Sequence, residues 1–234
     1  KTVYTGFNGR ASLTMPPGDY TLELVYGDGM TAYPVQKNIT VKSGERQLVE
    51  AVVSKAFHPN AKNYYSSDLH HHSNILDGTT PPKDLINSFK ASDLDLLFVS
   101  DHNSVGSHEL INTISEKLDM PFIPSMEITT ERWGHFNAYS LDLGMVSKHK
   151  GNPEDIFDDA RDKGAEFIQV NHPNSGGSYF DRTVEMKDQK QALGFSEGYL
   201  GGYDGIEING AWDDTDKKTL QETYSFWNMG KKYT

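Results

Sequence analysis

The sequence predicts an α/β protein preceded by a small all-β domain. Two observations indicate this division. Residues 1–57 contain short alternating segments separated by Gly/Pro turns, which is typical of a β-sandwich. From residue 64 onward, strand patterns alternate with helical patterns, which indicates parallel strands joined by right-handed crossovers. We therefore predict a β-sandwich domain over 1–57, a linker over 58–63 and an α/β domain over 64–234.

The sandwich prediction depends on four short segments. The strands are expected at residues 11–15, 20–26, 38–42 and 47–53. Residues 16–24, Pro-Pro-Gly-Asp-Tyr-Thr-Leu-Glu-Leu, and the closing strand pair resemble carboxypeptidase-regulatory or transthyretin-like sandwiches. Such modules accompany exported enzymes, so the resemblance implies an extracellular or cell-envelope location, with the cytoplasm as the alternative. The chain begins at Lys1 without an apolar signal segment, which we interpret as a processed or trimmed piece.

Helices and strands alternate through the second domain. An extended run from Tyr65 to His72 is predicted as the opening strand, and further strands are predicted at 94–100, 121–126, 134–141, 167–170 and 205–209. One helix is predicted with Thr80 as its N-cap, Pro81 as its first residue and an apolar stripe of Leu85, Ile86 and Phe89. Apolar stripes predict another helix with Leu110, Ile111, Ile114 and Leu118, and a last one with Leu220, Tyr224 and Trp227. Another helix is expected to begin at Asn152 and end at Gly164. A polar, Gly-rich insertion over 174–203 is expected to contain a short helix and to form a lid, a substrate wall or a plain surface excursion.

Ligand-type side chains recur where predicted strands end. These residues are His70, His72, His102, Glu127 and His172. The carboxyl ends of parallel strands face one crevice, so these side chains are expected to converge. His70 and His72 share one face of an extended run and His71 points the other way, so His71 is not expected to bind the ion. The pattern predicts a divalent metal site.

Composition excludes several classes of protein. There are no cysteines, so thiolate-held zinc and disulfides are excluded and histidine and carboxylate must supply the ligands. The net charge of −11 argues against nucleic acid as a stable partner. No segment has the run of about 20 apolar residues that a membrane span needs. An anionic small-molecule substrate is the expected partner.

The motifs of the second domain resemble the polymerase-and-histidinol-phosphatase (PHP) family. They are Asp68-Leu-His70-His-His72-Ser, Asp77-Gly, Ser100-Asp-His102-Asn, Glu127, Gly134-His135 and Asn171-His172-Pro, in order over about residues 64–209. The sandwich-then-PHP order is similar to the carbaryl-hydrolase-like branch. The resemblance implies a distorted (β/α)7 barrel, here C-terminally incomplete, that holds two or three divalent ions.

The resemblance also implies a role for each matched residue. His70 and His72 would hold the first ion, and Glu127 would bridge it to a second ion completed by His135 and His172. Asp77 and His102 would belong to a third. Asp68 and Asp101 match positions that orient ligands, although a strand-end carboxylate capping backbone amides is the alternative. Zn, Mn and Fe all suit this donor set.

One departure concerns the third ion. The family carries a C-terminal Asp-x-His that supplies ligands to the first and third ions. This chain stops at Thr234 after the helix that should precede that motif, and Asp213-Asp-Thr does not match it. Either those ligands lie beyond this sequence or they come from elsewhere, so the third ion is the least defined.

Three functions remain open from the sequence. A metal-activated water would serve a phosphoesterase, or a hydrolase of carboxylic or carbamic esters or amides. The third possibility is a metal-stabilised binding module without activity. Arg182, Lys187 or Arg132 could bind a substrate anion, but a solvated surface position is the plainer interpretation of each.

Overall fold

The structure, a computed structural model, describes residues 1–6, 8–27, 31–188, 191–195, 201–208 and 213–233. Chain contacts divide it into two compact units. Unit 1 comprises Lys1–Leu69, Thr80–Leu97 and Ile111–Phe122, and unit 2 comprises His70–Thr79, Phe98–Leu110 and Ile123–Thr234. The division into a sandwich, a linker and a metal-binding domain stays a prediction.

Unit 1 contains a two-stranded antiparallel sheet. Strand β1 (Gly18–Leu24) pairs with β2 (Val35–Val41) from Gly18 opposite Val41 to Leu24 opposite Val35. Burial alternates along β1, as a period of two predicts. The segments 11–15 and 47–53, where the sequence predicts further strands, lie outside regular strands. The sandwich therefore stays a prediction beyond this strand pair.

Helix α1 (Pro82–Ala91), also in unit 1, follows from its sequence. Pro82 occupies the first turn, where a missing N–H costs nothing. Leu85, Ile86 and Phe89 are buried, which confirms the predicted apolar stripe. The helix begins one residue later than predicted, because Pro81 is its N-cap.

Five strands form the main sheet, in the order β3-β4-β5-β6-β9. They are β3 (Leu97–Val99), β4 (Phe122–Thr129), β5 (His135–Tyr139), β6 (Phe167–Asn171) and β9 (Gly205–Ile206). The mixed α/β class is therefore confirmed, whereas the (β/α)7 barrel stays a prediction. Asn209, the predicted end of the last strand, lies outside the described residues.

Strand β5 corrects the prediction of an all-parallel sheet. It runs antiparallel to both β4 and β6, while β6 and β9 are parallel. Only residues 130–134 connect β4 to β5, which suits a hairpin and is too short for a crossover helix. The start of β5 therefore lies beside the ends of β4 and β6, with Thr129, His135 and Asn171 in register.

The remaining elements follow the sheet strands. They are α2 (His108–Lys117), α3 (Pro153–Asp162), α4 (Tyr179–Thr183), the hairpin β7 (Val184–Asp188) and β8 (Gln191–Phe195), and α5 (Asp214–Asn228). Asn152 caps α3 by accepting from the N–H of Asp155, and Gly164 follows its end with φ 96°, as predicted. Leu110 is half exposed on α2 and not on its buried face. Within the described part of the chain, no helix is both long and apolar enough to cross a membrane.

Helix α5 buries a different face from the predicted one. The predicted stripe consisted of Leu220, Tyr224 and Trp227. Tyr224 and Trp227 are about half exposed, whereas Thr219, Glu222 and Phe226 are buried. The Asn174 amide donates to Thr219 Oγ1 at 3.0 Å and to Glu222 Oε2 at 2.6 Å. Because the Thr219 hydroxyl and Glu222 Oε2 each receive a hydrogen bond from this buried amide, the two side chains can face inward.

The core of unit 2 lies on the main sheet. Met126, Ile128, Phe136, Ile168 and Val170 are all fully buried in it. The ring of Phe136 makes edge contacts with the rings of Phe157 on α3, at 4.9 Å, and Tyr179 on α4, at 5.2 Å. This packing fixes the strands whose ends carry the polar side chains described next.

Candidate metal centre

Five imidazoles of unit 2 surround the buried carboxylate of Glu127. Glu127 lies on β4 and its side chain is 1% exposed. Its Oε2 lies 3.2 Å from His70 Nε2, 3.2 Å from His72 Nε2 and 3.0 Å from His102 Nδ1. Its Oε1 lies 3.0 Å from His135 Nδ1 and 3.4 Å from His172 Nε2. Each carboxylate oxygen thus faces its own set of nitrogen donors.

The chain segment that carries His70 and His72, predicted as an extended run, lies outside the strands and bends at His70. It is held beside β3 by a hydrogen bond from the Ser100 N–H to the His71 carbonyl, at 2.8 Å. The rings of His70 and His72 lie 5.3 Å apart and both reach Glu127 Oε2. His71 belongs to none of the candidate metal groups found among the described residues.

His102 reaches the site through an extension of the sheet. It pairs with Glu127 in a parallel bridge just beyond β3. The Asn103 N–H donates to the Glu127 carbonyl at 2.9 Å, which continues this pairing. The backbone therefore sets the two residues side by side.

His135 reaches the site because β5 is reversed, and His172 reaches it because it directly follows the end of β6. His135 begins β5 and is opposite Asn171, which ends β6. The Asn171 amide donates to Glu127 Oε1 at 2.9 Å, so that oxygen faces Asn171, His135 and His172. The rings of His135 and His172 lie 4.8 Å apart, edge to face.

Asp77 forms a second, more open group with His72 and His102. Asp77 Oδ1 lies 3.3 Å from His72 Nδ1, and Asp77 Oδ2 lies 3.4 Å from His102 Nε2. The side chains of Asp77 and His102 are 34% and 39% exposed, against 1% for Glu127. The cluster is thus closed at Glu127 and open on the side of Asp77 and His102.

The electrostatics of the cluster are dominated by Glu127. Burial raises the pKa of its carboxyl, but the nearby imidazoles outweigh this and hold it well below its usual range. Burial also lowers the pKa of His70, yet Glu127 and Glu207 raise it to about 10. Glu127 likewise raises the pKa of His72. Burial lowers the pKa of His102, despite Glu127 nearby.

The donor set suits divalent cations. Three groups each place a ligand atom of every member within 4.8 Å of the others: His70, His72 and Glu127; His72, Asp77 and His102; and His102, Glu127 and His135. Glu127 Oε2 is buried and accepts no well-directed hydrogen bond from the described residues, although three imidazole nitrogens face it. A buried acceptor facing further lone-pair donors is explained by a cation between them. The residues present therefore fit the metal that the motifs imply.

Asp101 supports the chain segment after His72. Its carboxylate accepts from the Ser73 N–H at 2.7 Å, the Ser73 hydroxyl at 2.9 Å and the Ser107 hydroxyl at 2.6 Å. The described contacts of Asp101 thus hold the backbone of Ser73 and the hydroxyl groups of Ser73 and Ser107 in place. Asp68 is exposed and belongs to unit 1. The ligand-orienting role of both carboxylates stays a prediction.

The basic residues considered for substrate binding have other contacts. Arg182 donates to the Gly177 carbonyl, within the loop before α4. The guanidinium of Arg132 lies 4.6 Å from the Trp133 ring. The side chain of Lys187 lies outside the described residues. A substrate-binding role for Arg182 stays a prediction.

Sequence analysis did not assign a role to Glu207. Its Oε1 lies 2.7 Å from His70 Nδ1, and its Oε2 accepts from the His172 N–H at 2.6 Å. The sequence feature that could have indicated a role for Glu207 is its place near the end of the predicted strand 205–209, which pairs with β6. A carboxylate at that edge of the sheet faces the same side as His172.

Comparisons with known proteins gave one result of interest. No family model matches the sequence, and no curated protein matches it. Among solved structures, the chain is similar to a two-domain protein from Bacteroides vulgatus ATCC 8482 that contains a predicted PHP-like metal-dependent phosphoesterase. The two are 26% identical with a TM-score of 0.45, over 62% of this chain and 44% of that one. The chain thus spans less than half the length of that protein.

Proposed function

We propose that this chain is a metal-dependent hydrolase of the PHP type that acts on phosphoesters. The observation that carries the proposal is Glu127, a buried carboxylate whose two oxygens face separate sets of imidazoles. A single carboxylate shared in this way suits two cations held close together. The choice of phosphoesters follows from the motif resemblance.

The ligands divide between the ions by proximity. His70 and His72 would hold the first ion with Glu127 Oε2, and His135 and His172 would hold the second with Glu127 Oε1. A third ion would lie at Asp77 and His102, where His72 also contributes a nitrogen. When bound, such ions polarise substrate oxygens and lower the pKa of a coordinated water.

The protein groups prepare this site in two ways. The carboxylates of Glu127, Asp77 and Glu207 together carry three negative charges, fewer than the four positive charges of two divalent cations. Bound cations would therefore leave the site with a positive balance that attracts an anionic ester. The Glu127 side chain is 1% exposed and the His102 side chain is 39% exposed, so the site is open to solvent on the side of His102. A substrate would therefore approach past Asp77 and His102.

The test combines metal content with hydrolysis. Purified chain is loaded with Zn²⁺ or Mn²⁺, its metal is measured by elemental analysis, and it is assayed on p-nitrophenyl phosphate, bis-p-nitrophenyl phosphate and p-nitrophenyl acetate. We expect p-nitrophenol to be released from a phosphate ester only when the metal is bound. Preference for the acetate would instead favour carboxyl-ester hydrolysis.

Two variants separate catalysis from a structural role. His172→Ala should abolish turnover while the metal-free protein stays folded, whereas His58→Ala, on an exposed residue, should leave both turnover and folding unchanged. Absence of hydrolysis of all three esters by the metal-loaded chain contradicts the proposal. If the metal-loaded chain shows no turnover and His172→Ala loses much of the stability that the metal provides, the metal has a structural role. That result supports a metal-stabilised binding module.

A further inference from the structure

We infer that Glu207 is a positioning residue of the metal centre, which holds His70 and His172 in the orientation that ion binding requires. This inference rests on the proposed metal centre. It concerns the residue that follows β9, the last strand of the sheet, and that lies outside the candidate metal groups among the described residues.

The backbone places Glu207 next to the site. Its N–H donates to the Val170 carbonyl at 2.9 Å, which continues the parallel pairing of β9 with β6. Its side chain is 14% exposed. From this position the carboxylate lies between the end of β6 and the His70 ring, so its two oxygens reach two different ligand residues.

The first contact selects the tautomer of His70. Glu207 Oε1 lies 2.7 Å from His70 Nδ1, and a carboxylate only accepts hydrogen bonds, so Nδ1 carries the proton. Nε2 is then the nitrogen that would give up its proton and become the ligand atom when a cation binds, and it lies 3.2 Å from Glu127 Oε2. Carboxylates that receive the second N–H of a ligating histidine fix both its ring orientation and its tautomer.

The second contact holds the backbone of His172. His172 has φ 27°, a left-handed value that residues other than glycine rarely adopt. Its N–H donates to Glu207 Oε2 at 2.6 Å, which satisfies the amide in this conformation. The rings of His172 and His70 lie 5.9 Å apart and nearly parallel. One carboxylate therefore links a ligand of the first ion with a ligand of the second.

The competing interpretation is that Glu207 is itself a ligand. Both of its oxygens already receive a hydrogen bond in this arrangement, which favours positioning. The two interpretations differ in the number of ions held. Loss of a ligand lowers the number bound at saturation, whereas loss of positioning lowers the affinity at an unchanged number.

The experiment is a zinc titration of the full chain, by competition with a chelator, for wild type, Glu207→Gln and the control Glu166→Gln. Glu166 is an exposed glutamate just before β6. We expect Glu207→Gln to bind zinc about 10- to 100-fold more weakly with the same number of ions at saturation. Glu166→Gln should match wild type. Wild-type affinity in Glu207→Gln, or one ion fewer at saturation, overturns the positioning role.

A measurement on wild type makes the test independent of any variant. Long-range ¹H–¹⁵N NMR of the zinc-loaded protein reports which nitrogen of each imidazole carries the proton. We expect His70 to be protonated at Nδ1, with a downfield proton that moves upfield in Glu207→Gln because an amide is a weaker acceptor. His70 protonated at Nε2 overturns the inference while leaving the metal centre intact. A wild type that binds no zinc overturns the proposed function as well.

Discussion

Replacing Glu127 by glutamine tests the centre of the site directly. The substitution keeps the size of the side chain and removes its charge. Glu127 is the residue that both proposed ions share, so its loss should weaken zinc binding more than a change in a supporting residue, that is, by more than about 100-fold. Chelator competition measures this, with Glu166→Gln as the control.

The same substitution has a calculable effect on the metal-free protein. The pKa of His70 is raised from 6.5 to about 10 by Glu127 and Glu207 together, against the opposing effect of burial. At 1.36 kcal/mol for each pKa unit, this net shift corresponds to a stabilisation of roughly 5 kcal/mol that remains after burial has opposed it. Because Glu127 is one of the two carboxylates that raise the pKa of His70, Glu127→Gln should lower the free energy of unfolding by several kcal/mol.

The pH dependence provides the refutation. A raised folded-state pKa stabilises the protein fully below the unfolded value of 6.5, and this stabilisation is lost as pH rises through about 10. Urea unfolding of the metal-free wild type and variant, followed by tryptophan fluorescence, should therefore differ at pH 6 and converge near pH 10. An equal difference at both pH values would show that the carboxylate acts through packing and not through the imidazoles.

Three further predictions follow from the structure. His71→Ala should leave the zinc content unchanged, whereas His72→Ala should reduce it, as measured by elemental analysis. A reduced zinc content in both variants would contradict the prediction that His71 does not bind the ion. A Cβ on Gly78 would lie 2.5 Å from the His72 carbonyl oxygen, so Gly78→Ala should lower the free energy of unfolding by about 1–3 kcal/mol. At the control position Gly106 the nearest atom to an added Cβ lies at 3.5 Å, so Gly106→Ala should have no such effect. Thermal unfolding of the two variants measures the difference. Burial raises the pKa of the Glu222 carboxyl, so its charge opposes folding at neutral pH. Glu222→Gln should therefore unfold at higher urea than wild type at pH 7 and at a similar concentration near pH 4, and equal midpoints at pH 7 would contradict this.

Local patterns predicted many elements of the α/β region. The Asn152 cap and Gly164 define α3 because both act within a few residues. The direction of β5 was not predicted, since an extended segment reads the same in either direction. The short connection over 130–134 was the local feature that indicated a hairpin. The alternation of helices and strands favoured a parallel sheet, and that prediction was wrong for β5.

Long-range polar contacts could not be predicted in the same way. The buried face of α5 depends on Asn174, whose amide pairs with Thr219 and Glu222 more than 40 residues away in sequence. Hydrophobicity alone favours Tyr224 and Trp227 for that face. The same limit applies to Glu207, whose partner His70 is 137 residues distant. The histidines themselves were predictable because they follow recognisable strand patterns and motifs.

The hairpin formed by β4 and β5 also bears on the order in which the site assembles. Glu127 and His135 are only 8 residues apart and meet across this hairpin, whereas the contact of His70 with Glu207 closes a loop of 137 residues. Hairpins form in about 1–10 μs, and long-range contacts form later because their loop-closure entropy is larger. One half of the centre can therefore exist early in folding, and a cation captured there would favour the later docking of the segment that carries His70 and His72.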